Sequence, residues 1–445
     1  MMYLQSLTQT ELAELLVPIS VEKPRFSRFR RESLETAQAA GDADAIAAIM
    51  AEVAPERTEE QKASDLDRAQ KKARYRAKQI FHWVYQRYVF EWDLMSDLSK
   101  DLREWLKENV QIFRLNVKHD QQALDGTHKF LWSLEDGKTI ESVIIPAALR
   151  EKSAEEFSGE DGDRAMSDGN RFRGVQSDAA LDSEEWARLT VCISSQVGCA
   201  MACKFCLTGI QGLDRHLGAH EIVAQVMELR SRAPLTNIVF MGMGEPLHNF
   251  ENVVKACEIM LDTDGMNFSK RKVTISTSGL VTGIDELGKR IDVSLAISLN
   301  SSTDEQRSEI MPVNKRWDIE ALMDACRRYP TSNHRRITFE YVMLKDFNDT
   351  IEDAARVKNL VRGIPCKINL IPFNEHPGSD FKRPSDSTVK IFQRFLMGYG
   401  LTTTVRISRG QDILAACGQL RSIFGTARGT EKHRDFQAPQ TSSPT

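Results

Sequence analysis

The sequence CISSQVGCAMACKFC, residues 192–206, indicates both the fold and the chemistry of this chain. Three of its thiols follow the apolar run 189–193 in a C-x3-C-x2-C pattern, namely Cys199, Cys203 and Cys206. Closely spaced cysteines hold iron–sulfur clusters, because one short loop can direct its sulfur atoms toward a single polynuclear centre. Three ligands leave one iron of a four-iron cluster without a protein ligand.

The remaining iron can bind a small chelating molecule, and S-adenosylmethionine offers an amino and a carboxylate group for this purpose. The alternative interpretation is a structural zinc site or three unrelated thiols. Zinc sites usually combine paired C-x2-C units with a fourth ligand at a regular distance, and neither is obvious in this stretch. The spacing therefore favours an iron–sulfur cluster.

The cysteine stretch and the later segment AACGQL, residues 415–420, resemble those of the RlmN/Cfr family of RNA adenosine methyltransferases, in the radical S-adenosylmethionine superfamily. The similarity runs from about residue 74 to residue 420, broken by one insertion. The resemblance implies an α/β fold, an incomplete (β/α)6 barrel with a small N-terminal helical RNA-binding domain and a β-hairpin extension. It also implies S-adenosylmethionine, two molecules per turnover, and a [4Fe–4S] cluster held by Cys199, Cys203 and Cys206.

Length and composition allow a large core and give no extreme charge. The 445 residues suggest two or three domains, although a barrel can take more than about 200 residues in one unit. The net charge of −4 gives no global nucleic-acid signature, so RNA must be bound by local basic patches. Eight cysteines in so long a chain are not a secreted disulfide framework. Because the sequence has neither a signal peptide nor a membrane-length apolar run, we expect a soluble cytoplasmic protein.

Changes in composition divide the chain into segments. Residues 20–73 offer helix formers but few large apolar anchors, which indicates a partly helical insertion. Residues 147–185 are polar, acidic and rich in glycine and serine, so they cannot bury enough apolar surface to fold alone. In order, we predict an N-terminal helix (1–19), a charged insertion (20–73), a helical accessory RNA-binding domain (74–126), a β-hairpin extension (127–146), an acidic flexible insertion (147–185), the barrel (186–425) and a disordered tail (426–445).

Residues 68–90, RAQKKARYRAKQIFHWVYQRYVF, combine basic and aromatic side chains. Ile80, Val84 and Arg87 fall on one helical face, so one interpretation is an amphipathic helix with buried aromatics and solvated bases. The other is an RNA-contacting helix, because Lys and Arg bind phosphates and splayed bases stack on aromatic rings. Spacing alone does not separate the two, and the resemblance favours the second.

Residues 129–146, KFLWSLEDGKTIESVIIP, predict two strands around a tight turn at Asp136 and Gly137, because glycine tolerates positive φ. Glu141 lies on the second strand. A glutamate in a strand normally faces solvent. By resemblance, however, IESVIIP matches the segment in which the family carries a glutamate as proton acceptor, so Glu141 is predicted to act as a catalytic base.

Beyond residue 186, apolar β-branched runs alternate with helical patterns, which indicates βα units and a parallel sheet. Such sheets bind ligands at the carboxyl ends of their strands. A turn or an ordinary strand end would explain GMGEP (242–246) or STSG (276–279) alone, but each of them follows its own strand. Six strands are predicted, at residues 191–193, 237–241, 272–276, 292–299, 336–344 and 367–373.

The resemblance assigns the polar residues at these strand ends to S-adenosylmethionine. Gly244 and Glu245 are expected to meet its amino group. The family often has His where Asn300 stands, which favours a backbone over a side-chain contact at that position. Its carboxylate, ribose and adenine are expected to be lined by Ser276, Ser298, Leu299, Asn300 and Asn374.

Cys192 and Cys417 are cysteines outside the cluster motif that decide the function. A lone cysteine is usually a small buried apolar residue, which is our interpretation of Cys257, Cys326 and Cys366. By resemblance, Cys417 in AACGQL is the methyl carrier and Cys192 is the second catalytic thiol.

The chemistry of adenine explains why two thiols accompany a cluster. Carbon 2 or carbon 8 is electron-poor and carries no acidic proton, so it cannot displace the methyl of a sulfonium directly. Following the family, we hypothesise that the Cys417 thiolate first accepts a methyl group. A second S-adenosylmethionine on the open iron yields a 5′-deoxyadenosyl radical, which activates that methyl to add to the RNA. Glu141 as base and attack by Cys192 on Cys417 then release the product and leave a disulfide for an external reductant.

The predicted function is methylation of carbon 2 of adenosine 2503 in 23S rRNA and of adenosine 37 in tRNAs. The alternative within the family is Cfr-like methylation of carbon 8 of the same rRNA adenosine, although QVGCAMACKFC and MGMGEPL look closer to the carbon-2 enzymes. A non-catalytic iron–sulfur RNA-binding protein is the alternative from another class, and it would have no use for Cys417, Cys192 and Glu141. The expected partners are 23S rRNA, tRNA and a flavodoxin-type electron donor, with no membrane, and the expected oligomeric state is a monomer.

Overall fold

The computed structural model describes residues 2–20, 36–46, 58–146, 188–331, 335–376, 378–406 and 408–420. The predicted acidic insertion and the predicted disordered tail lie outside these ranges. No helix within the ranges is both long enough and apolar enough to cross a membrane. The α-helices that lie wholly within these ranges are α1 (Gln9–Ser20), α2 (Glu59–Phe81), α3 (Lys100–Asn109), α4 (Leu207–Gln211), α5 (Ala219–Arg230), α6 (Phe250–Leu261), α7 (Val281–Arg290), α8 (Asp304–Ile310), α9 (Ile319–Arg328), α10 (Ile351–Leu360) and α11 (Asp386–Gly398).

Helices α1 and α2 pack together in the N-terminal part of the chain. α2 begins with a capping box, in which the side chains of Thr58 and Gln61 each accept a hydrogen bond from the other's backbone nitrogen. Its buried face is built on alanine at every fourth position, Ala69, Ala73 and Ala77, and such small side chains allow helices to approach closely. The boundary predicted between residues 73 and 74 therefore falls inside one continuous helix.

A ten-stranded sheet with the order β14-β13-β12-β11-β10-β9-β6-β5-β4-β3 forms the centre of the protein. Its seven strands from β14 to β6 pair in parallel, whereas β5, β4 and β3 continue the sheet in antiparallel pairs. This arrangement confirms the predicted incomplete barrel and hairpin, and β14 adds a parallel strand beyond the six predicted. The strands are β1 (Met2–Tyr3), β2 (Val110–Gln111), β3 (Asn116–Gln122), β4 (His128–Ser133), β5 (Thr139–Pro146), β6 (Leu189–Cys192), β7 (Gln196–Gly198), β8 (Leu213–His216), β9 (Asn237–Phe240), β10 (Val273–Thr277), β11 (Ser294–Ser298), β12 (Ile337–Met343), β13 (Cys366–Pro372) and β14 (Thr403–Val405).

Strands β7 and β8 form a separate antiparallel pair that closes the loop carrying the cysteine motif. Gly198 ends β7 with φ of +76°, and a Cβ atom there would overlap the carbonyl oxygen of Gly212. That oxygen accepts a hydrogen bond from the backbone nitrogen of Cys199 at 2.9 Å. Glycine is therefore required both by the backbone conformation and by the close approach of the two ends of the loop.

The substitution Gly198→Ala should destabilise the protein more than Gly363→Ala. Both glycines have positive φ, +76° and +79°, so the strain of placing alanine there is similar, but a Cβ at Gly363 meets no atom within 4 Å. We expect Gly198→Ala to lose about 1–3 kcal/mol more of the free energy of unfolding, because the backbone of the closed loop must move. Urea denaturation of both variants measures this difference, and equal losses would contradict the steric argument.

Candidate cluster and methyl-transfer site

The three predicted cluster ligands lie on one loop between β7 and α4, and all three are free, partly exposed thiols. Gly209 of α4 packs so closely behind the loop that a Cβ would lie 2.9 Å from the backbone nitrogen of Cys203. Burial raises the pKa of Cys199 to about 12. Burial also raises the pKa of Cys203 well above its ordinary value, and the negative charges of Cys206 and Cys199 add to the effect. Thiols this difficult to ionise become thiolates when a bound metal supplies the compensating charge.

The loop suits a polynuclear cluster better than a single ion. Among the residues that the structure describes, no three His, Cys, Asp or Glu side chains converge on the position of one metal ion. A structural zinc ion needs four ligands at about 2.0–2.3 Å from one point. A four-iron cluster is larger and binds its cysteines on separate iron atoms, so three free thiols spread along one loop fit it.

The register of the sheet brings Cys192 and Glu141 to one face. Cys192 of β6 pairs with Val143 of β5, and Val143 pairs with Lys129 of β4. Glu141 lies two residues before Val143, so its side chain shares that face and lies nearer the carboxyl end of β6. Glu141 is 1% exposed. It is therefore not the solvent-facing residue that is normal for a glutamate in a strand.

The C-terminal loop brings Cys417 to the cysteine loop. The backbone nitrogen of Leu207 donates to the oxygen of Gly418 at 2.8 Å. The hydroxyl of Thr208 donates to the oxygen of Leu420 at 2.6 Å, although these two residues are 212 positions apart. The methyl-carrier candidate and the cluster candidates are thus parts of one site.

Arg406 and Glu340 are charged residues beside Cys417 that the sequence analysis missed. Burial raises the pKa of Cys417, while the Arg406 guanidinium, which donates a hydrogen bond to the thiol, opposes that rise. Glu340 faces the same thiol and accepts a hydrogen bond from Ser276 at 2.9 Å. Burial also raises the pKa of Cys192, and the charge of neighbouring Cys417 adds to it. A glutamate inside the mainly apolar strand β12 was a signal that could have identified this position.

The GMGEP segment forms a tight turn beside the cysteine loop. Gly244 has φ of +101°, and a Cβ there would lie 2.5 Å from the Cβ of Gln196. The carboxylate of Glu245 accepts hydrogen bonds from the backbone nitrogens of Ser278 at 2.7 Å and Leu247 at 3.1 Å. Burial raises the pKa of Glu245, and these hydrogen bonds oppose that effect. A buried carboxylate in this position is suited to receive an ammonium group.

Arg307 ties together two of the strand ends that were assigned to S-adenosylmethionine. It is fully buried and donates to the oxygens of Ser278 at 2.6 Å, Ser298 at 3.2 Å and Leu299 at 3.0 Å. Burial lowers the pKa of Arg307 to about 10. The sequence gave no signal for Arg307, because it belongs to the short helix α8 and does not directly follow a strand.

Asn300 and Asn374 use their side chains within the protein. The oxygen Oδ1 of Asn300 accepts a hydrogen bond from the nitrogen of Val342 at 2.8 Å, and the backbone oxygen of Asn300 accepts one from Nδ2 of Asn348 at 2.8 Å. Nδ2 of Asn374 donates to the oxygen of Cys417 at 3.3 Å, and its Oδ1 accepts from Gln411 at 3.0 Å. Asn374 therefore also anchors the C-terminal loop.

The basic and aromatic stretch 68–90 covers the second half of α2 and the residues that follow it, and it has a buried and an exposed part. Phe81 and Tyr85 belong to the core, as the amphipathic interpretation requires, whereas Tyr75 is 62% exposed. The guanidinium of Arg87 stacks over the ring of Trp83 at 4.3 Å. Tyr75 is thus the most exposed aromatic residue of this stretch, and an exposed aromatic ring is what stacking on a base requires.

Comparisons with known proteins agree with this architecture. The model of the Radical SAM superfamily matches residues 193–357, and the model of the Ribosomal RNA large subunit methyltransferase N-terminal domain matches residues 65–112. The Dual-specificity RNA methyltransferase RlmN of Syntrophotalea carbinolica is 47% identical over 372 residues, 83% of this chain and 90% of that protein. The protein of the same name from Geobacter sulfurreducens is 46% identical over 350 residues, 79% of this chain and 87% of that protein.

One solved structure is similar over almost the whole chain. It is a radical SAM methyltransferase from Sphaerobacter thermophilus, 36% identical, with a TM-score of 0.68, and the match covers 95% of this chain and 99% of that one.

Replacing one cysteine of the loop should remove iron. In Cys203→Ala two loop thiols remain, and we expect iron retained after anaerobic reconstitution to fall by about tenfold or more. Iron and sulfide analysis measures the loss. The matched control is Cys257→Ala, which removes a thiol buried in α6 and should leave the iron content unchanged. Full iron in Cys203→Ala would contradict the assignment.

Proposed function

Because this chain belongs to the RlmN family of radical S-adenosylmethionine RNA methyltransferases, we propose that it methylates carbon 2 of adenosine 2503 in 23S rRNA and of adenosine 37 in tRNAs. The observation that carries the proposal is that the loop of Cys417 is hydrogen-bonded to the cysteine loop and that Cys417 is near enough for its charge to raise the pKa of Cys192. An iron–sulfur protein that only bound RNA would need neither of these two thiols.

In this proposal the cysteine loop holds the cluster and the GMGEP turn holds S-adenosylmethionine. Cys199, Cys203 and Cys206 would hold the [4Fe–4S] cluster, and Glu245 would receive the amino group of S-adenosylmethionine. When bound, the cluster and S-adenosylmethionine supply the one-electron chemistry that makes an S-methyl group reactive toward an electron-poor ring carbon. The chain has to provide the methyl carrier, the proton acceptor and the second thiol.

Cys417 is the methyl carrier in this proposal. Its thiolate attacks the methyl carbon of one S-adenosylmethionine, a new sulfur–carbon bond forms, and S-adenosylhomocysteine leaves with the electron pair of the broken bond. The Arg406 guanidinium favours the thiolate, because an adjacent cation opposes the effect of burial on the thiol. Asn374 and Leu207 hold the backbone beside the sulfur by donating hydrogen bonds to the carbonyl oxygens of Cys417 and Gly418.

Glu141 and Cys192 release the methylated RNA from Cys417. The alkylated ring must lose one electron, which the bound one-electron cofactors would accept, and Glu141 accepts the proton of the alkylated carbon, so that the ring becomes aromatic again. The Cys192 thiolate attacks the sulfur of Cys417, so a sulfur–sulfur bond forms while the sulfur–carbon bond breaks. The freed electron pair stays with the transferred carbon, which takes up a proton to become the methyl group. A two-electron thiol reductant from outside the protein then restores both thiols.

Removing either thiol should stop the reaction at a different stage. Cys417→Ala should bind iron normally but give no methylated protein and no methylated RNA. Cys192→Ala should methylate Cys417 and then accumulate protein covalently joined to RNA, since nothing attacks the sulfur. Intact-protein mass spectrometry and denaturing gels distinguish these outcomes. Full RNA methylation by Cys417→Ala, or the absence of an adduct in Cys192→Ala, would refute the scheme.

The position of the methyl group decides between the carbon-2 reaction and its nearest alternative. Reconstituted enzyme, S-adenosylmethionine and a reductant are incubated with 23S rRNA fragments or with a tRNA anticodon arm, and the digested RNA is analysed by mass spectrometry. We expect 2-methyladenosine from both RNAs. 8-Methyladenosine would overturn the carbon-2 assignment, and release of neither 5′-deoxyadenosine nor a methyladenosine would overturn the enzymatic function.

A further inference from the structure

Lys129 is a buried charged residue that the reaction scheme does not use. It is 9% exposed and lies on β4, diagonally opposite Glu141 on β5, because Leu131 pairs with Glu141 and Lys129 pairs with Val143. Long side chains at diagonal positions on one face of a sheet reach each other. Nζ of Lys129 lies 3.4 Å from Oε1 of Glu141. The predicted proton acceptor is thus held against a buried ammonium group.

The same lysine contacts the loop that carries Cys417. Its Nζ donates to the carbonyl oxygen of Leu414 at 3.5 Å, three residues before Cys417. Leu414 has φ of +51°, a left-handed conformation that is uncommon for a side-chain-bearing residue and needs support from its surroundings. The Lys129 ammonium therefore spans the gap between the carboxylate and the methyl-carrier loop.

A second contact fixes the hairpin to this loop. The turn before β4 carries Asp125, whose Oδ2 accepts a hydrogen bond from the backbone nitrogen of Gly410 at 2.9 Å. A Cβ at Gly410 would lie 2.8 Å from Cβ of Ala415 and 2.9 Å from Cγ2 of Thr127. The hairpin and the loop are therefore closely packed. Their relative position is well defined, and we expect the loss of a contact at Lys129 to affect it directly.

We propose that Lys129 is a positioning residue, which sets the place of the Glu141 carboxylate relative to the carbon atom carried on Cys417. The inference rests on the proposed function, because it takes Glu141 to be the acceptor of the ring proton. Buried ion pairs add little to stability compared with apolar side chains of the same volume. A role in orientation accounts for this charged pair at the edge of the methyl-carrier loop. Lys129 contacts the Glu141 carboxylate on one side and the loop on the other, and so fixes their relative positions.

Release of the RNA should depend on this lysine more than methyl transfer to Cys417 does. Methyl transfer uses Arg406 and the cysteine loop, whereas Lys129 contacts Glu141 and the oxygen of Leu414. The loop that carries Cys417 is also held by the contacts of Gly410 with Asp125 and of Gly418 with Leu207. Lys129→Met keeps the length of the side chain and removes its charge, so the Glu141 carboxylate loses a cationic partner. We expect normal methylation of Cys417 and a covalent RNA adduct that resolves about tenfold or more slowly.

The experiment follows three quantities in the reconstituted full-length enzyme: iron content, methylation of Cys417 by intact mass, and the rate at which the RNA adduct disappears. Lys129→Arg retains the cation and should restore most of the rate. The matched control is Lys138→Met, which removes the charge of another lysine of the same hairpin. Nζ of Lys138 lies 2.5 Å from a carboxylate oxygen of Asp214 on β8, whereas Lys129 contacts the loop that carries Cys417. This variant should release RNA at the wild-type rate.

Each remaining outcome bears on the inference or on its premise. Wild-type release by Lys129→Met, equally slow release by Lys129→Arg, or a parallel loss of Cys417 methylation would overturn the role of Lys129. The variant Glu141→Gln separates a failure of the positioning role of Lys129 from a failure of the proposed role of Glu141. If it stalls as an adduct while Lys129→Met does not, only the positioning role fails. If Glu141→Gln releases methylated RNA at the wild-type rate, Glu141 is not the proton acceptor and the proposed function itself must be revised.

Discussion

A backbone hydrogen bond, reinforced by the one from Thr208 to Leu420, joins the two loops on which the site depends. The nitrogen of Leu207, just after the last cluster cysteine, donates to the oxygen of Gly418, just after the methyl-carrier candidate. Gly418 has φ of +83°, and a Cβ there would lie 3.2 Å from the oxygen of Phe205. A residue with a side chain would be strained and would press the loops apart. The glycine in AACGQL is therefore part of the geometry that holds the Cys417 sulfur near the cysteine loop.

The parallel sheet provides the frame in which this contact can form. The parallel strands β6 and β9 to β14 end on one side of the sheet, so the loops that follow them meet there although they are far apart in the chain. The side chains of a strand alternate between its two faces, and Cys192, Glu141 and Lys129 share one face for that reason. The antiparallel hairpin extends this face beyond the parallel strands, which is how Glu141, on an accessory element, comes to lie on the same face as Cys192 of the barrel.

This arrangement buries several charged side chains, and each of them has a hydrogen-bond or ion-pair partner. Arg307 donates to the carbonyl oxygens at the ends of β10 and β11, and Glu245 accepts from the backbone that follows them. Lys129 and Glu141 face each other. Burying such groups without partners would cost several kcal/mol each. Their concentration at one end of the sheet is typical of a site that must bind a charged cofactor and move protons.

Local features of the sequence were sufficient for most of the architecture. The six parallel strands and the hairpin turn at Gly137 were predicted because apolar alternation and turn residues act over a few positions. The alanine face of α2 was not anticipated, since alanine gives little signal about what it packs against. The roles of the candidate site residues stay predictions, although the sequence named the three thiols that fold onto one loop.

The sequence by itself determined the cysteine spacing, the order of strands and helices, and the family. Only the tertiary structure decided that Arg406 and Glu340 stand beside Cys417, that Lys129 bridges Glu141 and Leu414, and that the side chain of Asn300 turns toward Val342. The physical reason is that these neighbours are set by sheet register and by contacts between distant loops. No property of a short segment specifies which residue of another strand will lie opposite it.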